Sequence, residues 1–301
     1  MDVSTLTSKD IERAQLSKKR RRRRIATLVF VFIYLVGLGL LLYPTISDRM
    51  NAAKNDRMIS RYDYAVSRAG DARYQEIYAG AEEYNAQHSY NNFSDIFARE
   101  TFFHTHMYDT LLDPSGNGVM GYLSIPKVGQ RLAIYHGTSD AVLSTGLGHV
   151  MGSSLPIGGE NTHTVLAGHR GLPSAKILSD LDQMVIGDRF FLYIMNESLA
   201  YEVDQIKVVD PNDASFLDIV PGEDHVTLYT CTPYGVNTHR MLVRGKRIEF
   251  EEAAVEEESG KRELNERDRP ALIISAILAV LLVIYLIVLI VLSVRRRLRE
   301  R

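Results

Sequence analysis

The chain has a single cysteine, Cys231, in 301 residues, so no disulfide can form within it. It has no internal repeat and almost no net charge, −2 at pH 7. The glycine-rich stretch 146–159 lacks the strand–GxxxxGK–helix context of a phosphate cradle and is read as a loop. The CGxCW pattern of papain-like peptidases is missing around Cys231. For a metal there is only His104 with His106, two imidazoles one residue apart without further ligands, so none is expected.

Charge is low in sum but uneven along the chain. Residues 1–24 hold nine Lys/Arg and three Asp/Glu, and residues 295–301 hold five Arg and one Glu. Between them, residues 44–270 carry 21 basic and 33 acidic side chains. The joints are two runs without any charge, residues 25–43 and 271–294. Each is long enough to cross a hydrocarbon core as a helix. Lys and Arg favour the cytoplasmic side, so both termini are expected inside and 44–270 outside. The first run is longer than the apolar core of a cleaved signal peptide, which favours an uncleaved anchor. The basic tails suit topology control and contact with anionic lipid heads rather than nucleic acid. A domain held outside sits in an oxidising space. An odd cysteine there implies an intermolecular bond or a working thiol.

Between the runs, residues 46–87 have a helical, polar pattern broken at Gly70-Asp71. Tyr74, Ile77, Tyr78, Ala81 and Tyr84 fall at helical spacing and form one stripe for packing on the following domain. Residues 88–118 are irregular and end in the turn cluster Asp113-Pro114-Ser115-Gly116-Asn117-Gly118. From 118 to 250 the chain is β-rich, with strands expected over 119–125, 132–135, 162–167, 189–195, 199–209, 225–230 and 241–250. Residues 139–143 suggest a helical turn and 174–184 a short helix. Many short strands with glycine turns point to a mainly β fold, an antiparallel barrel or sandwich. Residues 251–270 are dense in charge and read as a solvated linker or polar helix before the second run.

Cys231 sits where a strand meets a loop, and Arg240 stands nine residues on, at the loop's far end. A thiol attacks as thiolate and needs a cationic or basic neighbour. Acyl transfer from an amide also needs a proton donor for the leaving amine and donors where oxyanion charge develops. His169, at another strand end in Gly168-His169-Arg170-Gly171, is a candidate for the proton carrier. His136 and His239 compete with it, while His163 and His225 lie within strands and suit packing.

The stretch Thr227-Leu228-Tyr229-Thr230-Cys231 resembles the TLxTC signature of the sortases, membrane-anchored cysteine transpeptidases of Gram-positive bacteria. The resemblance covers about 118–250 and is tightest at Gly118-Val119-Met120-Gly121-Tyr122, Tyr135-His136-Gly137-Thr138-Ser139 and His169 through Asp188. Gly171-Leu172-Pro173-Ser174-Ala175, with the C-terminal apolar run, resembles class C, the pilin-polymerising sortases. The resemblance implies an eight-stranded sortase β-barrel and a catalytic set of His169, Cys231 and Arg240. It implies cleavage of an LPxTG-like signal between Thr and Gly and transfer to a pilin lysine, without metal or organic cofactor. A wall-precursor amine is the alternative acceptor, as in sortases that anchor single proteins to the wall. A non-catalytic surface receptor is the alternative of another class. Class C members often carry a lid with an Asp-Pro-aromatic motif. The nearest match, Asp113-Pro114, is followed by Ser115 and lies close to the first strand, so Asp113-Pro114 and Phe102-Phe103 both stand as lid candidates.

Overall fold

The computed structural model describes residues 8–87, 108–172, 174–260 and 268–299. The chain divides into two compact units, residues 1–44 with 266–301, and residues 45–265. Helix α1 (Ser8–Arg68) contributes to both.

In the first unit, α1 meets α5 (Asp268–Arg299). The Phe30 and Tyr285 rings pack with centroids 5.3 Å apart, and the Tyr34 hydroxyl donates to the Leu278 carbonyl. Among the described residues, one helix is long and apolar enough to cross a membrane, within Ile25–Arg68. The described apolar stretch of α5, Ala276–Leu289, is shorter.

In the second unit α1 ends at Arg68 and α2 (Asp71–Gln87) follows the break expected at Gly70. The aromatic stripe of α2 packs as its spacing predicts. Ile77 and Ala81 are buried, and Tyr74, Tyr78 and Tyr84 lie against the main core. From α1, Tyr62 is buried; its hydroxyl donates to Met120 O (2.9 Å) and accepts from Met195 N (2.6 Å).

The strands are β1 (Val119–Ile125), β2 (Gln130–His136), β3 (Leu147–His149), β4 (Thr162–Ala167), β5 (Arg189–Ile194), β6 (Glu197–Val209), β7 (Asp224–Thr232) and β8 (His239–Ile248). They close a barrel in the order β1-β2-β3-β4-β7-β8-β6-β5, with β5 paired back onto β1. The pairings β2–β3 and β4–β7 are parallel and the rest antiparallel.

Side chains alternate across a strand, so parity sorts them to the two faces of the barrel wall. Leu166 of β4, Val226 and Leu228 of β7, and Met241 and Val243 of β8 join the main core. Val165 and Ala167, Tyr229, and Leu242 belong to a second cluster with Leu143, Val150, Val209 and Leu217. The wall at β4–β7–β8 is thus covered on both faces, which explains why β4 is buried at every position.

Two local expectations need correction. Residues 146–159, read as a loop, contain β3. Residues 174–184, read as a helix, form turns with only a 3₁₀ turn at Leu181–Gln183. There the backbone is claimed by other partners: Leu178 N donates to His169 O (3.2 Å) and Ser179 O accepts from Arg170 Nε (3.3 Å). Tertiary bonds of this kind override a weak helical propensity. The charged stretch after β8, read as a linker or polar helix, is helical over α4 (Glu252–Gly260), which buries Ala254 against Phe191 and Ala200. Between Leu143 and Ser139 the expected helical turn is α3 (Asp140–Leu143), capped by the Ser139 side chain, which accepts from Val142 N.

Candidate active site

Strand register brings the three candidates together. Cys231 pairs directly with Arg240 across β7–β8. On the other side of β7, Ala167 pairs in parallel with Tyr229. The same register continues past β4: Gly168 N donates to Tyr229 O (3.1 Å), and Thr230 Oγ1 donates to Gly168 O (2.7 Å). His169 therefore comes level with Cys231, giving the order His169, Cys231, Arg240 across three adjacent strand ends. Parity places all three on the face of the second cluster, two residues beyond Ala167 and Tyr229 and two before Leu242.

Burial differs among them. Cys231 is 8% exposed and Arg240 7%, so each reaches the surface only at an edge. The His169 side chain is more open, at 26%. Arg240 Nη1 donates to Asn237 O (3.1 Å) and His239 O (3.2 Å), which fixes the guanidinium against its own loop. Asp140 Oδ1, at the start of α3, stands 4.0 Å from His169 Nε2. Partial burial pulls the His169 imidazole below its ordinary 6.5, and the Asp140 carboxylate opposes that pull.

The loops at this rim touch. Gly171 takes φ +84°, and a Cβ there would come within 3.2 Å of Gly235 N in the β7–β8 loop. Arg170, which the sequence reading did not single out, is the strongest tie. It is 5% exposed; Nη1 donates to Thr232 Oγ1 (3.0 Å), Nη2 pairs with Asp182 Oδ2 at 2.6 Å, and Nε bonds Ser179 O. It thereby links the residue after His169 to the residue after Cys231. A buried charge must be paired, yet nothing in the sequence separates Arg170 from an exposed loop arginine.

The competing histidines are engaged elsewhere. His136 Nε2 faces Leu111 O (2.7 Å) and Nδ1 faces Gly118 O (3.2 Å). His239 is exposed, with Nδ1 2.9 Å from Thr238 Oγ1. His163 and His225 are buried within β4 and β7. Asp113 accepts from Asn117 N (3.1 Å) and Gly118 N (2.9 Å), organising the turn into β1. Phe102, Phe103, His104 and His106 lie outside the described residues.

A family model for the sortase domain matches residues 123–248. Sortase D of Bacillus subtilis is 30% identical over 138 residues, covering 45% of this chain and 67% of that protein. Sortase A of Streptococcus agalactiae is 30% identical over 144 residues, covering 47% of this chain and 58% of that protein. The match thus spans about two thirds or less of these curated relatives. Among solved structures, sortase C1 from Streptococcus agalactiae aligns with a TM-score of 0.59 at 46% identity, covering 65% of this chain and 100% of that one. Sortase C from Streptococcus pneumoniae aligns at 0.58 and 43% identity, covering 64% and 97%.

Proposed function

We propose, on the premise that this chain belongs to the sortase family and to its class C, that it joins pilin subunits into covalent polymers. A sortase is a cysteine transpeptidase, so the question is which residues serve and which amine accepts. The observation that carries the reading is the register of Cys231 opposite Arg240, with the end of β4 alongside.

The Cys231 thiolate attacks the Thr carbonyl of an LPxTG-like signal. The Arg240 guanidinium, directly opposite, holds the substrate and steadies the oxyanion. The Thr–Gly bond breaks as the His169 imidazolium gives its proton to the departing glycine amine. A thioester remains. The amine of a pilin lysine attacks it, His169 takes the amine proton, and an amide forms as the thiolate leaves. A wall-precursor amine serves as acceptor in the final cycle. The reading includes a two-pass topology with both termini cytoplasmic and residues 44–270 outside, which the apolar window of α1 supports at the N-terminal side.

Cys231→Ala is expected to abolish polymer ladders while the protein still reaches the membrane; undiminished polymer in that variant overturns the reading. A purified pilin with and without its acceptor lysine separates polymerisation from wall attachment, because only the former loses product without the lysine. Mass spectrometry of Cys231 after incubation with sorting peptides is expected to find the thioester adduct.

A further inference from the structure

The geometry points to one polar face of α1 as a positioning element that holds His169 in line with Cys231. The inference rests on the assignment of His169 above. Ser47, Asp48, Asn51, Lys54 and Asn55 recur at spacings of three and four and share a face of α1. That face bonds two segments that flank the histidine.

The first segment is the loop after His169. Ser47 Oγ donates to Ser174 O (3.0 Å), and Asp48 Oδ1 accepts from Lys176 N (2.8 Å). Two residues on, Leu178 N returns to bond the His169 carbonyl (3.2 Å). The second segment is the turn after α3. Asn55 Nδ2 donates to Thr145 O (2.7 Å), Asn51 Nδ2 to the same oxygen (3.3 Å), and Lys54 Nζ to Thr145 Oγ1 (3.3 Å). That turn closes α3, whose Asp140 stands 4.0 Å from His169 Nε2.

Asn55 anchors the whole face. It is 1% exposed, and its Oδ1 accepts from Ala133 N of β2 (3.0 Å). A buried amide that bonds a strand on one side and the α3 turn on the other fixes the distance between them. The contact is not close-packed: a cleft of about 290 Å³ lies along it, lined by Asp48, Asn51, Asn55, Arg131, Lys176 and Ile177 among others. Polar bonds from α1 therefore hold the 174–176 loop where it meets the helix, alongside the core packing of Ala175. Ser47 follows the charge-free run 25–43 by four residues. The helix that leaves that run is thus also the helix that steadies the proton-transfer group.

The test uses the full-length protein in lipid nanodiscs with a fluorogenic LPxTG-type peptide, measuring kcat and KM over a pH series. Displacements of an ångström can cost up to about 100-fold in rate, so Asp48→Ala is expected to lower kcat about tenfold with KM within about twofold. It should also move the pH limb of kcat/KM that His169→Ala removes. Asp48→Asn keeps a carbonyl oxygen for Lys176 N and is expected to restore both. A merely structural role would lower thermal stability but leave that limb in place. If Asp48→Ala does not fold, Ser47→Ala, which removes one hydroxyl, carries the same test. Unchanged kcat and an unmoved limb in a folded variant overturn the inference. Undiminished activity in His169→Ala overturns instead the assignment on which it rests.

Discussion

His163 shows how a histidine can be essential to the barrel without touching the reaction. It is wholly buried in β4, with Nδ1 2.9 Å from Asp218 O and Nε2 2.7 Å from Thr227 Oγ1. A carbonyl only accepts, so Nδ1 carries the proton and Nε2 accepts from the threonine hydroxyl. Burial lowers its pKa from the ordinary 6.5 to about 4. His225, with its ring centroid 5.5 Å away, moves the same way, by burial first and the Arg244 charge second. Between those two pKa values the unfolded chain binds a proton that the folded one refuses. Stability is therefore full above the ordinary value and is lost as pH falls toward 4, by about 3 kcal/mol for His163 alone. His163→Gln, which keeps a donor and an acceptor, is expected to flatten the acid side of a stability–pH curve from urea denaturation. An unchanged slope in that variant would rule out His163 as its source. The contrast with His169 is one of position: the same residue type, six residues on and past the end of β4, leaves the covered wall for the rim.

At the scale of elements, β3 explains what the sequence could and could not disclose. It is three residues long and contains Gly148. A Cβ at 148 would overlap the Gly137 carbonyl oxygen and crowd Leu143 Cδ2 at 3.1 Å. Glycine here is set by close backbone approach in a parallel pair, not by a turn. Gly148→Ala is expected to destabilise the folded protein by about 1–3 kcal/mol, because the obstacle is backbone and cannot swing aside. A denaturation midpoint equal to wild type would contradict this. The same glycine makes β3 illegible, since a Gly-rich stretch without alternation reads as loop. The long strands were legible for the opposite reason: β6 and β7 are rich in β-branched and aromatic residues, and clear turns bound them and β8. The placing of Cys231 and Arg240 at the two ends of one loop followed from those boundaries alone. The level of His169 did not, because a parallel pairing between β4 and β7 leaves no local mark in either strand. Nor did the turns at 174–184, whose apolar residues Ile177, Leu178 and Leu181 are buried as a helix would bury them, but whose backbone is held by His169 and Arg170.

For the whole molecule the open question is which side of a membrane each part occupies. The chain passes between its two units at residues 44–45 and 265–266. Nine and five basic residues lie at its two ends, and the stretch between the apolar runs has 33 acidic against 21 basic. Lys and Arg beside a span are retained on the cytoplasmic side, whereas acidic residues count for little, so it is the two basic ends that decide. A chain with one cysteine makes the test direct. In a Cys231→Ala background, Val236→Cys puts the sole thiol at a position 65% exposed in the β7–β8 loop. A membrane-impermeant maleimide is expected to label it in intact cells. An epitope fused after Arg301 is expected to survive external protease until the membrane is permeabilised. Loss of that epitope from intact cells would leave α5 without its crossing, and would place the C-terminus on the same side as the barrel. Failure of the maleimide at 236 would count more heavily. It would enclose residue 231 with the cytoplasm, where no pilin awaiting polymerisation at the cell surface could reach it.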